Sequence, residues 1–301
     1  MSGLMVAGAL AGLASIGATT AAATTVVRRE RTFLPRGHAA RVDTRRDPVD
    51  VALRYGCAGL TVGIAVDAQR RVVLAGPSGR FLRQHVLEPL AERVRRRGRV
   101  HAAQHEAFGV VLEADPNAGA DLLDRLEDAL VPYADLLSAV TGGALRHGHV
   151  QIMLAGAHRR ALEARADRLF FAEGTLNDVG RDVPTDVVPV VAEHVAWRIG
   201  WDGRGEIAAE ERYLLRSLMR AAHLEGKRVR FYGVPTGHRI RRAFWTELHS
   251  AGADLISAEN LGALRRFLRG RHAHRTTYGP APGQLWLPER KVRANDRPAR
   301  R

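Results

Sequence analysis

The sequence predicts a single α/β domain, a (β/α)8 TIM barrel over residues 32–269, and three observations predict it. Short runs rich in Val, Leu and Phe alternate with stretches of helical periodicity, the pattern of a parallel sheet with helices outside. Eight such units with an added hairpin strand favour a closed barrel over an open doubly wound sheet. No Gly-x-Gly-x-x-Gly turn follows the first strand, which disfavours a dinucleotide-binding fold. The 301 residues, 46% of them hydrophobic, accommodate the roughly 250 residues of such a barrel and a sizeable core.

In chain order the strands are expected at Phe33–His38, Leu60–Val66, Val72–Ala75, Gly109–Glu113, Val150–Ala155, Leu169–Phe171, Val187–Val191, Val229–Val234 and Asp254–Ser257. Helices are expected at Asp47–Tyr55, Arg80–Arg97, Asp121–Leu130, His158–Arg168, Glu210–Leu224, Arg239–Ser250 and Asn260–Arg269. Glu210–Leu224 is the clearest. Leu214, Leu218 and Ala222 recur every fourth residue, acids crowd its start, and Gly226 stands where a C-terminal cap belongs.

Residues 1–27 carry no charged side chain and are rich in Ala, Gly, Leu and Thr. Their length and the small residues Ala21-Ala22-Ala23 suit a signal peptide with an Ala-x-Ala-like site, and a membrane anchor is the second reading. The expected localisation is export or membrane association, or the cytoplasm if this leader is not a signal. From Gly270 a tail with Pro280, Pro282, Pro288 and Pro298 lacks periodicity and is expected to be disordered.

The net charge is +14, and all of the 46 basic residues except Lys227 and Lys291 are arginine. Eight basic and two acidic residues fall in the tail, so much of the excess lies off the folded domain. No aromatic-interleaved basic stripe accompanies it, so specific nucleic-acid recognition is not expected; contact with anionic lipid or polymer through the tail is. A monomer is expected. The single cysteine, Cys57, rules out an internal disulfide and a cysteine-based zinc site, and its apolar context reads as a buried, inert thiol. His101 and His105 stand four apart, but without a helical pattern or a third ligand they read as surface histidines. Trp197 and Trp201 flank a Gly-rich loop and either line the pocket mouth or close the barrel top, with packing the favoured reading.

Two segments near the C-terminus carry a resemblance. Val229-Arg230-Phe231-Tyr232-Gly233-Val234-Pro235 precedes a helix containing Phe244-Trp245-Thr246-Glu247-Leu248. Then follow Ala251-Gly252-Ala253-Asp254-Leu255-Ile256-Ser257-Ala258-Glu259-Asn260-Leu261 and Leu264-Arg265-Arg266-Phe267-Leu268. This order resembles the last two units of the phospholipase C-like and glycerophosphodiester phosphodiesterase barrels, above all a bacterial branch similar to "altered inheritance of mitochondria protein 6". Leu34-Pro35-Arg36-Gly37-His38 resembles the first strand of that family, and the likeness spans Thr32 to Arg269.

The resemblance implies two histidines as general acid and base, with a carboxylate-bound calcium or magnesium ion holding the phosphate. On that correspondence His38 is the first catalytic histidine and Glu113 a metal ligand. The other positions are vacated. The Asn and Asp after the first histidine fall on Ala39 and Ala40, the Glu-x-Asp pair on Gly63 and Ala65, and the second histidine on Gly76. The inherited reaction is therefore expected to be weak or absent, leaving a barrel that binds a phosphodiester or a polyol phosphate. The alternatives are an active phosphodiesterase with a rearranged site, and a scaffold acting through its basic tail. Candidate substitutes or pocket residues are Asp43 in the loop after His38, Asp67 one alternation beyond Ala65, Glu173 after the fifth strand, and Glu193 and His194 after the sixth.

Overall fold

The computed structural model describes residues 32–273 apart from 77–78, 116–118, 120 and 157. The strands are β1 (Leu34–Ala39), β2 (Cys57–Val66), β3 (Val72–Leu74), β4 (Phe108–Ala114), β5 (Ala139–Thr141), β6 (Ala144–Arg146), β7 (Val150–Ala155), β8 (Phe171–Thr175), β9 (Val190–His194), β10 (Arg228–Tyr232) and β11 (Leu255–Ala258). Eight of them pair in parallel in the order β1-β2-β4-β7-β8-β9-β10-β11, and β11 returns to β1, so the barrel closes. The hairpin strand β3 runs antiparallel to β2. Around the barrel lie α1 (Pro48–Arg54), α2 (Glu88–Arg97), α3 (Leu122–Leu130), α4 (Arg159–Glu163), α5 (Val195–Arg198), α6 (Ala209–Leu224), α7 (His238–Ala251) and α8 (Leu261–Ala273). Among the described residues no helix is long and apolar enough to cross a membrane.

Successive side chains of a strand point to opposite faces, so a closed barrel covered by helices needs apolar residues on both. Leu60, Val62, Ile64, Val110, Leu112, Ile152, Leu154, Val229 and Phe231 form the layer between strands and helices. Val111, Met153, Phe171 and Val190 fill the interior, and Val140 joins them. Val140 comes from the β5–β6 hairpin, which leads into the start of β7 and so plugs the N-terminal end of the barrel. That hairpin is additional to the expected elements. Cys57 is buried at the start of β2, and burial pushes its thiol up to about 12, as an inert thiol requires. Lys227, just before β10, is equally buried and ion-paired with Glu225.

Four expectations shift. The fifth and sixth barrel strands begin later than their apolar runs, because Phe170, Val187 and Val188 are buried in the approaches and Pro189 has no N–H to give. Glu173, Glu193 and His194 consequently lie within strands rather than after them. On α6 the buried stripe is Leu215, Met219 and Ala222, while Leu214 is 50% exposed, because Arg212 is drawn toward Glu247 of α7 at 3.0 Å. α4 stops at Glu163, since Arg168 is pulled out of helical geometry by backbone pairing with Val140 and by hydrogen bonds to the Arg165 and Asp186 carbonyls. At the other end α8 runs past Gly270 to Ala273, into the expected tail. The leader and the rest of that tail lie outside the described residues.

Candidate functional site

A cavity of about 570 Å3 opens at the C-terminal ends of the barrel strands. Thr61, Glu113, Arg230, Tyr232 and Ser257 reach it from the strands, and Arg41, His194, Gly233, Arg241 and Glu259 from strand ends, loops and α7. This is where a parallel barrel presents side chains from several strands to one ligand.

Its floor is built on Arg230. The alternation Arg228-x-Arg230-x-Tyr232 turns Arg230 inward, and the β10–β9 register sets it opposite Ala192. Its Nε and Nη2 donate to Glu173 Oε1 and Oε2, both at 2.7 Å, and its Nη1 donates to Ser257 Oγ at 2.9 Å. Arg230 and Ser257 are each only 3% exposed. Burial alone would lower the guanidinium's pKa; the Glu173 carboxylate outweighs it, so the group is held above its usual value and charged. Tyr232 lies 5.1 Å beneath that charge, and partial burial raises its phenol.

His38 sits lower. It faces inward from β1 opposite Ser257, is fully buried, and its Nε2 is 2.8 Å from the Thr61 hydroxyl, which does reach the cavity. Its Nδ1 has no partner among the described residues. Burial first, then the Arg230 and Arg228 charges, hold its pKa well below the ordinary value, so the ring is neutral at pH 7. An unfolded histidine, near 6.5, takes up the proton that this one refuses. The stability linked to His38 is thus fully present above about pH 6.5 and is lost as pH falls through and below that value. Melting temperatures from pH 7.5 to 5 should drop less steeply in His38→Gln than in the wild type; parallel curves would refute the assignment.

Glu113 faces Gly63 across the β4–β2 pairing, with its carboxyl in the mouth. Partial burial raises its pKa; Arg230 and Arg41 oppose the rise, and Glu173 and Asp43 add to it. Arg41, in left-handed geometry at φ 47°, opens the short turn Val42–Thr44 that tucks Asp43 over the bare face of Gly63. A Cβ on Gly63 would lie 3.6 Å from Asp43 Oδ2 and 2.8 Å from the Ala75 Cβ, so Asp43 covers the place of the vacated carboxylate. Asp43 Oδ1 is buried without a hydrogen-bond partner among the described residues. His194 Nδ1 accepts the Ala196 N–H at 3.2 Å, which leaves its proton on Nε2 in the neutral ring. The ring lies 5.3 Å from Trp197, which is 72% exposed, and 5.4 Å from Tyr232.

The anticipated residues are thus only partly assembled. Glu113 and His194 share the cavity wall, Glu173 works through Arg230, and His38 lies behind Thr61. Glu193 points to the helical side and pairs with Arg198 at 2.8 Å, and Asp67 is tied to Arg71 in the β2–β3 turn. Of the vacated positions, Ala40 lines the cavity, Ala39 packs in the outer core, Ala65 lies on β2, and a Cβ at Gly76, whose φ is 114°, would meet nothing within 4 Å among the described residues. His101 is buried rather than on the surface, because its ring packs 5.0 Å from that of Phe33, just ahead of β1. Trp201 packs on Phe244 as expected.

A divalent cation of the kind the resemblance implies needs hard oxygen ligands, roughly six to eight for calcium. Among the described residues no three His, Cys, Asp or Glu side chains come together to hold a metal, and both Glu173 oxygens are taken by Arg230. The donor set does not fit a calcium ion held by protein ligands.

No protein-family model matches the chain, and no curated protein matches it. Solved structures do. A glycerophosphoryl diester phosphodiesterase of Parabacteroides distasonis ATCC 8503 aligns over 79% of this chain and 87% of its own at 11% identity and a TM-score of 0.47. One from Agrobacterium tumefaciens str. C58 aligns over 78% and 99% at 14% identity and a TM-score of 0.42. Cel5A of Thermotoga maritima, solved with cellobiose, aligns over 78% and 97% at 9% identity and a TM-score of 0.44. A likeness at this level leaves function to be read from the side chains.

Proposed function

We propose that this chain is a phosphodiesterase-type barrel whose mouth binds a phosphate-bearing small molecule, a phosphodiester or a polyol phosphate, with the inherited hydrolysis weak or lost. The observation that carries the reading is Arg230, locked by Glu173 and Ser257 on the cavity floor. Arginine's planar fork matches phosphate oxygens, and a guanidinium already fixed in place loses little entropy on binding them. The resemblance around β10 and β11 supports the ligand class. Against turnover stands the glycine at position 76, since a missing general acid or base removes a contribution of roughly 10²–10⁴-fold. The uncharged leader supports export of the protein.

One observation favours a second reading, a rearranged and active phosphodiesterase. Among the described residues Asp43 Oδ1 has no hydrogen-bond partner, its charge acts on Glu113, and a hydrated magnesium ion can be held by as few as two carboxylates. Hydrolysis of a chromogenic phosphodiester with calcium, magnesium or manganese, beside Glu113→Gln, separates the two. The expected outcome is no turnover above buffer with any metal, with phosphate compounds raising the melting temperature. Metal-dependent turnover that vanishes in Glu113→Gln would replace the binding reading with the catalytic one.

A further inference from the structure

We infer that the Arg230 guanidinium stands in for the divalent cation, so that the mouth grips a phosphate through Arg230, Ser257 and Thr61 with no metal ion. This rests on the reading that the ligand carries phosphate, and adds how the charge is met. Arginine has five N–H bonds; three of Arg230's are used by Glu173 and Ser257, which leaves two beside the cavity it lines. Ser257 accepts from Arg230, so its own hydroxyl proton is free to be donated to a ligand. Thr61, 2.8 Å from His38 Nε2, brings a second hydroxyl to the same floor, and it donates to a ligand when the neutral His38 ring carries its proton on Nε2. Donors from three strands therefore converge without any rearrangement, and charge-assisted bonds from a guanidinium are among the stronger ones available to a phosphate.

The same arrangement works against a cation. The Glu173 carboxylate on the floor has both oxygens engaged by Arg230, so it offers a cation no open ligand position. At the rim Arg41 and Arg241 favour an anion while Glu113 and Glu259 oppose it, so binding of moderate strength and high directionality is expected.

The test uses the full chain with inorganic phosphate and dimethyl phosphate as probes, at constant ionic strength, read by calorimetric titration and thermal melting. Binding is expected to be equal in excess chelator and in calcium or magnesium, and about tenfold weaker in Ser257→Ala, which loses one of the converging hydrogen bonds. Arg230→Gln should abolish it; if that variant does not fold, the chelator and Ser257→Ala arms decide alone. Phosphate binding that requires added metal overturns the inference and leaves the phosphate-ligand reading standing. Metal-free binding unchanged in Ser257→Ala also overturns it, because the anion then sits on another arginine. No binding of either probe under any condition overturns the reading beneath it as well.

Discussion

Glu173→Leu is expected to cost about 3–5 kcal/mol of stability, the penalty for leaving a buried guanidinium without its counter-charge. Arg230 is only 3% exposed, at the floor of the cavity, and Ser257 alone cannot replace a bidentate carboxylate. The double variant Glu173→Leu with Arg230→Met should recover most of that loss, and even come out more stable, because the desolvation cost of both charges disappears together. Urea unfolding of the two singles and the double gives the coupling directly. A single-variant loss below about 1 kcal/mol would mean that the pair is hydrated and does not organise the floor. Stability recovered with phosphate binding lost is the pattern of a charge pair kept for function.

The second large effect is expected at Gly233. Its backbone is left-handed at φ 73°, and a Cβ there would lie 2.0 Å from His194 Nε2, with the next nearest atoms in the same ring. Gly233→Ala therefore combines a strained backbone, about 1–2 kcal/mol, with an overpacking cost of roughly 1–3 kcal/mol. The imidazole can escape only by giving up the Ala196 N–H and its place between Trp197 and Tyr232. The variant should lose stability in denaturant and also shift the tryptophan emission, since Trp197 is the exposed member of the group. Unchanged stability with an unchanged spectrum would show that the ring is not held there.

The barrel was legible because its causes are local. Val150–Ala155 reads as a strand from composition and is one, and Glu210–Leu224 differs from α6 by one residue at its start. What local pattern could not decide was which of two adjacent apolar stripes on α6 turns inward, a choice made by Arg212 and Glu247 across a helix pair. The site was less legible for the same reason. A correspondence to a metal-dependent family directs attention to His38, Glu113 and the vacated carboxylates, and gives no role to Arg230 and Ser257, although both stand in the segments that carry the likeness. The signal for Arg230 was present in the strand itself, where Arg228, Arg230 and Tyr232 alternate with Val229 and Phe231 and imply a polar inner face. That Glu173 would meet Arg230 depends on the curvature of the closed sheet between β8 and β10, which no single segment encodes.

The burial of Cys57 and Lys227 gives the barrel two natural reporters of its own breathing. Cys57 is the chain's single thiol and Lys227 the one lysine among the described residues, and both are shielded, at the start of β2 and just ahead of β10. Three sheet seams separate those strands, β10–β11, β11–β1 and β1–β2. Thiol trapping and amine acylation, followed by peptide mass in mild denaturant, therefore time the exposure of two sectors of one closed sheet. Equal opening free energies at the two residues would describe a barrel that comes apart as one cooperative unit. A lower value at Cys57 would describe a ring that unzips from the β2–β3 hairpin while the Arg230 sector stays shut.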